Sequence, residues 1–513
     1  MKDQSSTKGN DALNNSNSLN DETNRPLERR IFKVNYGFLC FFAMIAGMGI
    51  FQLGYVLTAN NQVSPILDIQ FNLTDKSDKN FYHTMIGSSA VLGATIGSFS
   101  AGKIIQIGRR RSIIIFNFIG AVAVFGTLIL NFYTICAGRL VLGFCGGLFS
   151  VALSRMIDET IPQNLLGTFG VVTNLSMNAG NMFSILMGAG LPDQEDTKAS
   201  EDSNFWRIIF GFPWVFQIIQ VSAFLFIVRY ESIKFLIDHK RDNQALKAIQ
   251  QVYHSSENPQ EILDYIRRTG QKPSSNKISM CKALTGQNFW RATWFCILFG
   301  ILLQLTGINA IIWYSNNILQ KIQDDSGHGI SPRLGTILIG VTNFIGSIIS
   351  IFVVRRFGRK TLMVSGNLVM ALLLFLVGLF SFLKFNNVML IMILLFLLIF
   401  QQSDGPIFYM YASEITQDTG LGFAFLSLKG SGLIISLTTE YLMDSVLQPS
   451  GAFLLFACIT LAGAIFFIFA MKETKHLTDK EKKDLYKTRF KELEDIQFEE
   501  DIIESDLNIN RQQ

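Results

Sequence analysis

Charged residues along this chain fall in short clusters, and the stretches between the clusters are long and apolar. An apolar run of about 20 residues crosses a bilayer as a helix, because lipid offers no partner for backbone N–H and C=O groups. The pattern predicts twelve spans, over 36–59, 82–104, 112–131, 133–154, 167–190, 207–228, 292–319, 334–354, 362–383, 387–411, 421–445 and 451–471. Spans three and four are nearly continuous, with a tight turn at Asn131. The predicted fold class is an all-α membrane protein.

The polar segments divide the chain further. Residues 1–30, rich in Asn, Ser, Asp and Lys, carry too little apolar surface to order and are too polar for a cleaved signal peptide. They read as a disordered tail, with the first span as an uncleaved signal anchor. Six spans then occupy 31–228, a polar linker 229–291, six more spans 292–475, and a charged tail 476–513. The linker contains helical pieces at Asp242–Tyr253 and Pro259–Arg268. Basic residues collect on one side: Arg29, Arg30, Lys33, Arg109 to Arg111, the linker, Arg355, Arg356, Arg359 and Lys360. The stretches Asp68–Asp78 and Asp193–Asp202 on the other side are acidic. Lys and Arg stay on the cytoplasmic side, so both termini are predicted to be cytoplasmic. Asn72-Leu73-Thr74 then faces outside, and Asn72 is a candidate glycosylation acceptor.

Composition agrees with this picture and removes several classes of function. Only 16% of the 513 residues are charged, against about 25% in soluble domains. A net charge of +4 implies no nucleic-acid partner. All cysteines except Cys281 lie in or beside apolar runs, and no HxH, HExxH or CxxC spacing occurs. Neither a metal nor a cofactor is predicted, and the cysteines read as packing residues. No nucleophile–base pair or phosphate loop points to an enzyme.

The two halves repeat. Gln52-Leu53 in span one returns as Gln304-Leu305 in span seven, and Gly108-Arg109-Arg110 after span two as Gly358-Arg359-Lys360 after span eight. Glu159 after span four returns as Glu414 after span ten, and Glu231-Ser232 after span six as Glu473-Thr474 after span twelve. The positive-inside rule alone explains the charges but neither the matched order nor the glycines. Parallel repeats of this kind mark transporters whose site lies between the halves near the bilayer midplane.

These residues resemble the sugar porter family of the major facilitator superfamily, from about Gly47 to Thr478. The most specific stretch runs Gln304-Leu-Thr-Gly-Ile-Asn309-Ala-Ile-Ile-Trp313-Tyr314-Ser315. It is similar to the family's seventh-helix motif. Gln52-Leu-Gly-Tyr55, Ala137-Gly138-Arg139, Glu159-Thr-Ile-Pro162, Glu231-Ser232, Gly405-Pro406-Ile407 and Lys472-Glu473-Thr474-Lys475 are also similar, and their order and spacing carry the likeness. The resemblance implies the major facilitator fold, two pseudo-symmetric six-helix bundles, alternating access for a monosaccharide, most simply a hexose, and residence in the plasma membrane, with an organelle as the alternative. A monomer suffices, and the sequence does not set the oligomeric state.

Several family positions are altered. Arg109, Arg110, Arg139, Glu159, Arg359 and Glu414 match the charged residues of the family's cytoplasmic gate. The arginine expected seven residues after each glutamate is leucine, at Leu166 and Leu421, and an expected acid is Arg355. A rewired gate follows, with Arg355 as a substitute partner for Glu159 or Glu414. Loss of function through Arg355→Glu would be its mark.

Amides match sugar hydroxyls because each offers donors and an acceptor without net charge, and aromatic rings cover the sugar's C–H face. By resemblance, Gln304, Asn309 and Asn343 match sugar-binding amides. Asn174 stands for a glutamine, Tyr409 for a tryptophan, Leu303 for a second glutamine, and Gly432-Leu433 for an Asn-Trp pair. Trp313 is an aromatic candidate within the motif. On a regular helix Gln304 and Asn309 would sit about 140° apart and about 7.5 Å along the axis, flanking one groove. The alternative for each amide is a helix–helix hydrogen bond without ligand.

Val56 occupies the place of the aspartate found in proton-coupled members, so facilitated diffusion is expected. Asp404 sits beside Gly405-Pro406 deep in span ten, where it could bind a hydroxyl, carry a proton for symport, or cap a helix break. A non-transporting sugar sensor and an exporter of drugs or organic ions are the rival readings. The short tail argues against the first and the seventh-span amides against the second.

Overall fold

The computed structural model describes residues 32–162, 171–192, 203–269, 290–326, 331–416, 418–445 and 447–475, with 165, 169, 284–286, 477 and 479–487. The 1–30 tail, Leu166, the 193–202 stretch, Cys281 and the end of the chain lie outside these residues. Among the described residues the regular structure is helical, apart from one antiparallel bridge between Val34 and Tyr253.

Among the described residues, eleven spans are long and apolar enough to cross a membrane. The fifth position is filled by Val172–Gly188, whose 17 residues include Asn174, Asn178, Asn181 and Ser184 on its buried face. The first span is longer than its apolar run. Its helix continues from Tyr36 to Gln70 because Asn60, Asn61, Gln62 and Ser64, which read as a loop, are buried inside the bundle. Three spans are interrupted. Span six breaks between Phe205–Gly211 and Pro213–Phe226, span seven between Trp290–Leu305 and Ile308–Ser326, and span ten between Asn386–Gln402 and Asp404–Ile415. Span eight runs Pro332–Arg356, span nine Arg359–Phe382, span eleven Asp418–Asp444 and span twelve Gln448–Ala470.

The bundle is apolar outside, and inside it buries many polar side chains among extended apolar clusters. Ile115, Phe118, Ile119, Val122 and Phe125 on span three are exposed at helical spacing, as are Leu368, Val369, Leu372, Phe375 and Leu379 on span nine. Buried Asn, Gln, Ser and Thr collect on spans one, five, seven, eight, ten and eleven. Lipid tails are as apolar as leucine, so close packing between helices must come from small residues and hydrogen bonds. Spans two (Lys76–Ile104) and four (Phe132–Thr160) use Gly93 and Gly97 against Gly143 and Gly147. A Cβ on Gly93 would lie 1.9 Å from the Leu140 carbonyl, and one on Gly143 2.0 Å from that of Ala90.

The linker packs under the first half as helices Ile233–Asp238, Asp242–Val252 and Pro259–Thr269. His254 N–H donates to the Lys33 carbonyl and Asn35 N–H to that of Val252, which ties the start of span one to the linker. The membrane end on this side is the linker end below, and the opposite one the far end.

Candidate functional site

Four buried amides form a closed ring across the two halves. Asn174 Nδ2 donates to Gln401 Oε1 at 2.8 Å, and Gln401 Nε2 donates to Asn343 Oδ1 at 2.6 Å. Asn343 Nδ2 donates to Asn178 Oδ1 at 2.9 Å, and Asn178 Nδ2 returns to Asn174 Oδ1 at 3.3 Å. Asn174 and Asn178 are four residues apart and share one face of span five. Asn343 comes from span eight, and Gln401 from the residues before the break in span ten. Each amide spends one donor and one acceptor site on the ring and keeps the others. Ser403 has φ −117° and ψ −91°, and this break frees span ten to aim Gln401 inward and Asp404 elsewhere.

A second pair sits at the break in span seven. Gly307 adopts φ +82°, a conformation that an L side chain rarely takes, and a Cβ there would also meet the Phe456 ring at 2.5 Å. The break replaces the regular helical separation of Gln304 and Asn309 by contact: Asn309 Nδ2 donates to Gln304 Oε1 at 2.6 Å. Gln304 Nε2 lies 3.3 Å from where a Cβ of Gly432 would stand, so the pair faces span eleven. Tyr409 remains partly exposed, its ring 5.6 Å from those of Phe408 and Phe425. Trp313 is buried, and its indole N–H has no hydrogen-bond partner among the described residues.

Span seven is held by span one. Tyr314 leaves helical geometry at φ −125°, ψ 15°. Asn61 bridges the distortion, donating to Ser315 Oγ at 2.8 Å and accepting from the Asn316 N–H at 3.2 Å. Beyond it the halves join again through Asn317 with His83, Lys76 with Asp444, and Arg333 with the Pro192 carbonyl. Asn72 is exposed in the turn after span one at this end, with φ +54°. Polar contacts thus join the halves at the far end.

At the linker end the described ion pairs each stay within one half. Arg109 pairs with Glu159, which also accepts from Ser232 Oγ. Arg359 pairs with Glu414 at 3.3 Å, and Glu414 accepts from Thr474 Oγ1 at 2.6 Å and pairs with Lys482 at 3.3 Å. Glu231 accepts the backbone N–H groups of Arg110 and Arg111. Glu473 does the same for Arg359 and Lys360. The repeated charged elements at this end thus make similar bonds in the two halves. The Arg110 guanidinium fastens span three to span six through the carbonyls of Phe224 and Val228. Arg355 lies in the last turn of span eight. Between the halves here, Val171 packs with Val354 and Met410.

Arg139 does not join this gate. It sits in the first turns of span four, toward the far end, where its Nε donates to the Ile86 carbonyl at 2.8 Å and its guanidinium lies over Phe210. Span four is long enough for its two ends to lie on opposite sides of the membrane, so a motif at its start cannot reach Glu159 at its close.

Burial alone would raise the pKa of Glu473, but the N–H groups of Lys475, Arg359, Lys360 and Thr474 outweigh it and hold the carboxyl below its ordinary range. A depressed value means that the bonded carboxylate stabilises the fold above the ordinary range and that this contribution is lost as pH falls through the folded value. Glu473→Gln is therefore expected to lower the melting temperature at pH 7, and the gap to wild type should close at acid pH in melting curves.

Asp404 faces away from the ring. Asn367 of span nine donates to its Oδ1 at 2.7 Å, and its Oδ2 is buried with no partner among the described residues. Asn117 occupies the matching place in span three. Both asparagines also donate to the carbonyl four residues before them, and Asn117 bonds Gln52 and Gln220. Gln52, the repeat partner of Gln304, is thus spent on packing within its half.

The structure brings Asn174 and Asn343 together, and Gln304 with Asn309, as two separate groups. No sequence motif marks Gln401, Asn178 or Asn61. Asn178 was legible as the residue one turn after Asn174, and Gln401 as an amide in an apolar run just before a Gly-Pro break.

A family model described as "Sugar (and other) transporter" matches residues 39–486. Hexose transporter 1 of Plasmodium vivax is 25% identical over 463 residues, covering 85% of this chain and 90% of that protein. The facilitated glucose transporter member 3 of solute carrier family 2 from Oryctolagus cuniculus is 28% identical over 471 residues, covering 86% and 91%. The fold is similar to that of the proton:xylose symporter XylE bound to 6-bromo-6-deoxy-D-glucose, with a TM-score of 0.72, 20% identity and coverage of 88% and 100%. The inward open conformation of XylE from E. coli aligns with a TM-score of 0.68, 20% identity and coverage of 86% and 99%. A major facilitator fold with this match along its length has one assignment: the chain belongs to the sugar (and other) transporter family.

Proposed function

We propose that this chain carries a hexose-sized monosaccharide across a membrane by alternating access. The observation that carries the reading is the closed ring of Asn174, Gln401, Asn343 and Asn178, buried, uncharged and shared by both halves. Sugar hydroxyls donate and accept as amides do, so a sugar can take over these bonds without leaving a group unpaired. Gln304 and Asn309 supply a second pair of amides, and Tyr409 and Trp313 supply aromatic surface for the C–H face. Because the ring belongs to both halves, opening either end must break or replace its bonds, and a sugar shifts the balance only by contacts that differ between states. The linker end, with Arg109, Arg110, Arg355 and Arg359, is assigned to the cytoplasm, both termini with it, and the far end with Asn72 to the outside of the plasma membrane.

Transport is facilitated diffusion on this reading, with Val56 buried among Leu53 and Leu57 where coupling would need an acid. One observation favours proton symport instead, the unpartnered Oδ2 of Asp404. The test is purified protein in liposomes, offered labelled hexoses, pentoses and polyols with and without a pH gradient. Equilibration that ignores the gradient is expected. Accumulation that collapses with a protonophore and in Asp404→Asn would establish symport, and failure to move any of these solutes would overturn the reading of a neutral sugar or polyol as substrate.

A further inference from the structure

Lys429 is a buried cation in the wall of the candidate site, and neither the sequence motifs nor the function proposed above accounts for it. It lies in the middle of span eleven with 7% of its surface exposed. Helical spacing puts it on one face with Phe425, four residues before, and Gly432, three residues after. Phe425 faces Tyr409, with ring centroids 5.6 Å apart, and Gly432 faces Gln304. The lysine therefore sits between an aromatic candidate and an amide candidate of the same site. Gly432-Leu433 beside it stand where the sequence motif leads one to expect an amide and a tryptophan, so the wall has lost polar and aromatic bulk where it has gained a charge.

The ammonium has no hydrogen-bond or ion-pair partner among the described residues, yet it is not one of the side-chain atoms sealed from solvent. The other buried ionisable groups are engaged elsewhere. Asp404 holds Asn367 of span nine. Glu440 holds Asn317, eleven residues and about 16 Å farther along the same helix. Arg139 holds the Ile86 carbonyl in the other half, and Glu231 caps span three at the linker end. A charge taken from water without a counter-charge is costly, and ionisable residues within membrane spans mark substrate or ion pathways. A substrate that brings its own anion would supply what the chain lacks.

We infer that Lys429 receives the carboxylate of a sugar acid, so that the substrate class preferred by this site is a hexose-sized monoanion such as a hexuronate. The inference rests on the transport reading above for the location of the site. A single ammonium matches a monoanion. A phosphate ester would call for further donors or an arginine fork, and among the described residues no second buried cation shares this face of the site.

The test is exchange of labelled glucose, glucuronate and glucose 6-phosphate by purified protein in liposomes, with melting temperatures measured in parallel, for wild type, Lys429→Met and Lys429→Arg. Glucuronate should be exchanged with a kcat/KM roughly 10- to 100-fold above glucose, the range expected of a charge-assisted hydrogen bond. Lys429→Met should reduce the glucuronate-to-glucose ratio by the same factor, and Lys429→Arg should keep most of it. Glucose exchange without exchange of glucuronate would overturn this inference and leave the transport reading standing. So would a ratio unchanged in Lys429→Met, and preference for glucose 6-phosphate would overturn the carboxylate assignment. If no solute is exchanged, the transport reading falls. Glucuronate-specific thermal stabilisation that disappears in Lys429→Met would then still uphold the ligand class, and its absence would remove that too.

Discussion

Replacing Gln401 with leucine should lower sugar exchange by roughly two orders of magnitude while leaving the protein folded. Gln401 links span five to span eight through both ends of its amide. Leucine fills a similar volume, so the packing around span ten should survive. What is lost is a donor for Asn343 and an acceptor for Asn174, both deeply buried. Leaving a buried polar group unpaired costs about 1–3 kcal/mol each, and the same groups must meet the sugar, so their misplacement should appear in both binding and turnover. The ring also sets how the effects combine. Asn343→Leu should be nearly as damaging alone, and the double variant hardly worse than either, because one break already opens the network. Counterflow in liposomes, with elution profiles to verify folding, measures this. Additive losses for the two substitutions would show that the amides act independently.

Gly93→Leu should prevent folding. The Cβ of any side chain at this position would stand 1.9 Å from the Leu140 carbonyl oxygen, and the obstacle is backbone, which cannot rotate aside. Spans two and four would have to separate, giving up the glycine-to-backbone contacts at Gly97, Gly143 and Gly147 together. Overpacking a well-filled core costs about 1–3 kcal/mol in ordinary cases, and a rigid backbone contact lies at the upper end or beyond. Gly102 provides the contrast. No atom lies within 4 Å of its Cβ position, so Gly102→Ala should leave folding intact. Yield of monodisperse protein from solubilised membranes separates the two, and normal yield of Gly93→Leu would mean that the close approach of spans two and four is wrong.

The spans were readable because lipid forces every backbone group to pair within its helix, which leaves long apolar runs between charged ends. The same logic hid the far half of span one. Asn60, Asn61 and Gln62 look like a loop to any hydropathy count, but all three are buried, Asn61 against span seven, Asn60 against span two and Gln62 against span five. The repeat was readable in the glutamates, and its meaning became visible only in three dimensions, where Ser232 and Thr474 bond equivalent carboxylates. The motif around Arg139 gives a residue type without depth, so it points to the linker end although span four carries the residue toward the far end. Gln304 and Asn309 were found by their motif, yet their contact depends on the left-handed Gly307, which helical arithmetic does not foresee. The ring escaped because its members lie on three spans more than 200 residues apart in places, and nothing in the local pattern pairs Asn174 with Gln401. Lys429 escaped because one lysine in an otherwise apolar run looks like a flaw in the span.

The central claim is that uncharged amides from both halves meet midway through the membrane and exchange their mutual bonds for those of a sugar. A structure of the protein with its transported sugar bound tests it most directly. Sugar hydroxyls should lie within hydrogen-bond distance of Gln401 or Asn343 on one side and of Asn174 or Asn178 on the other, with at least one bond of the ring broken. A sugar bound elsewhere, with all four ring bonds intact, would contradict it.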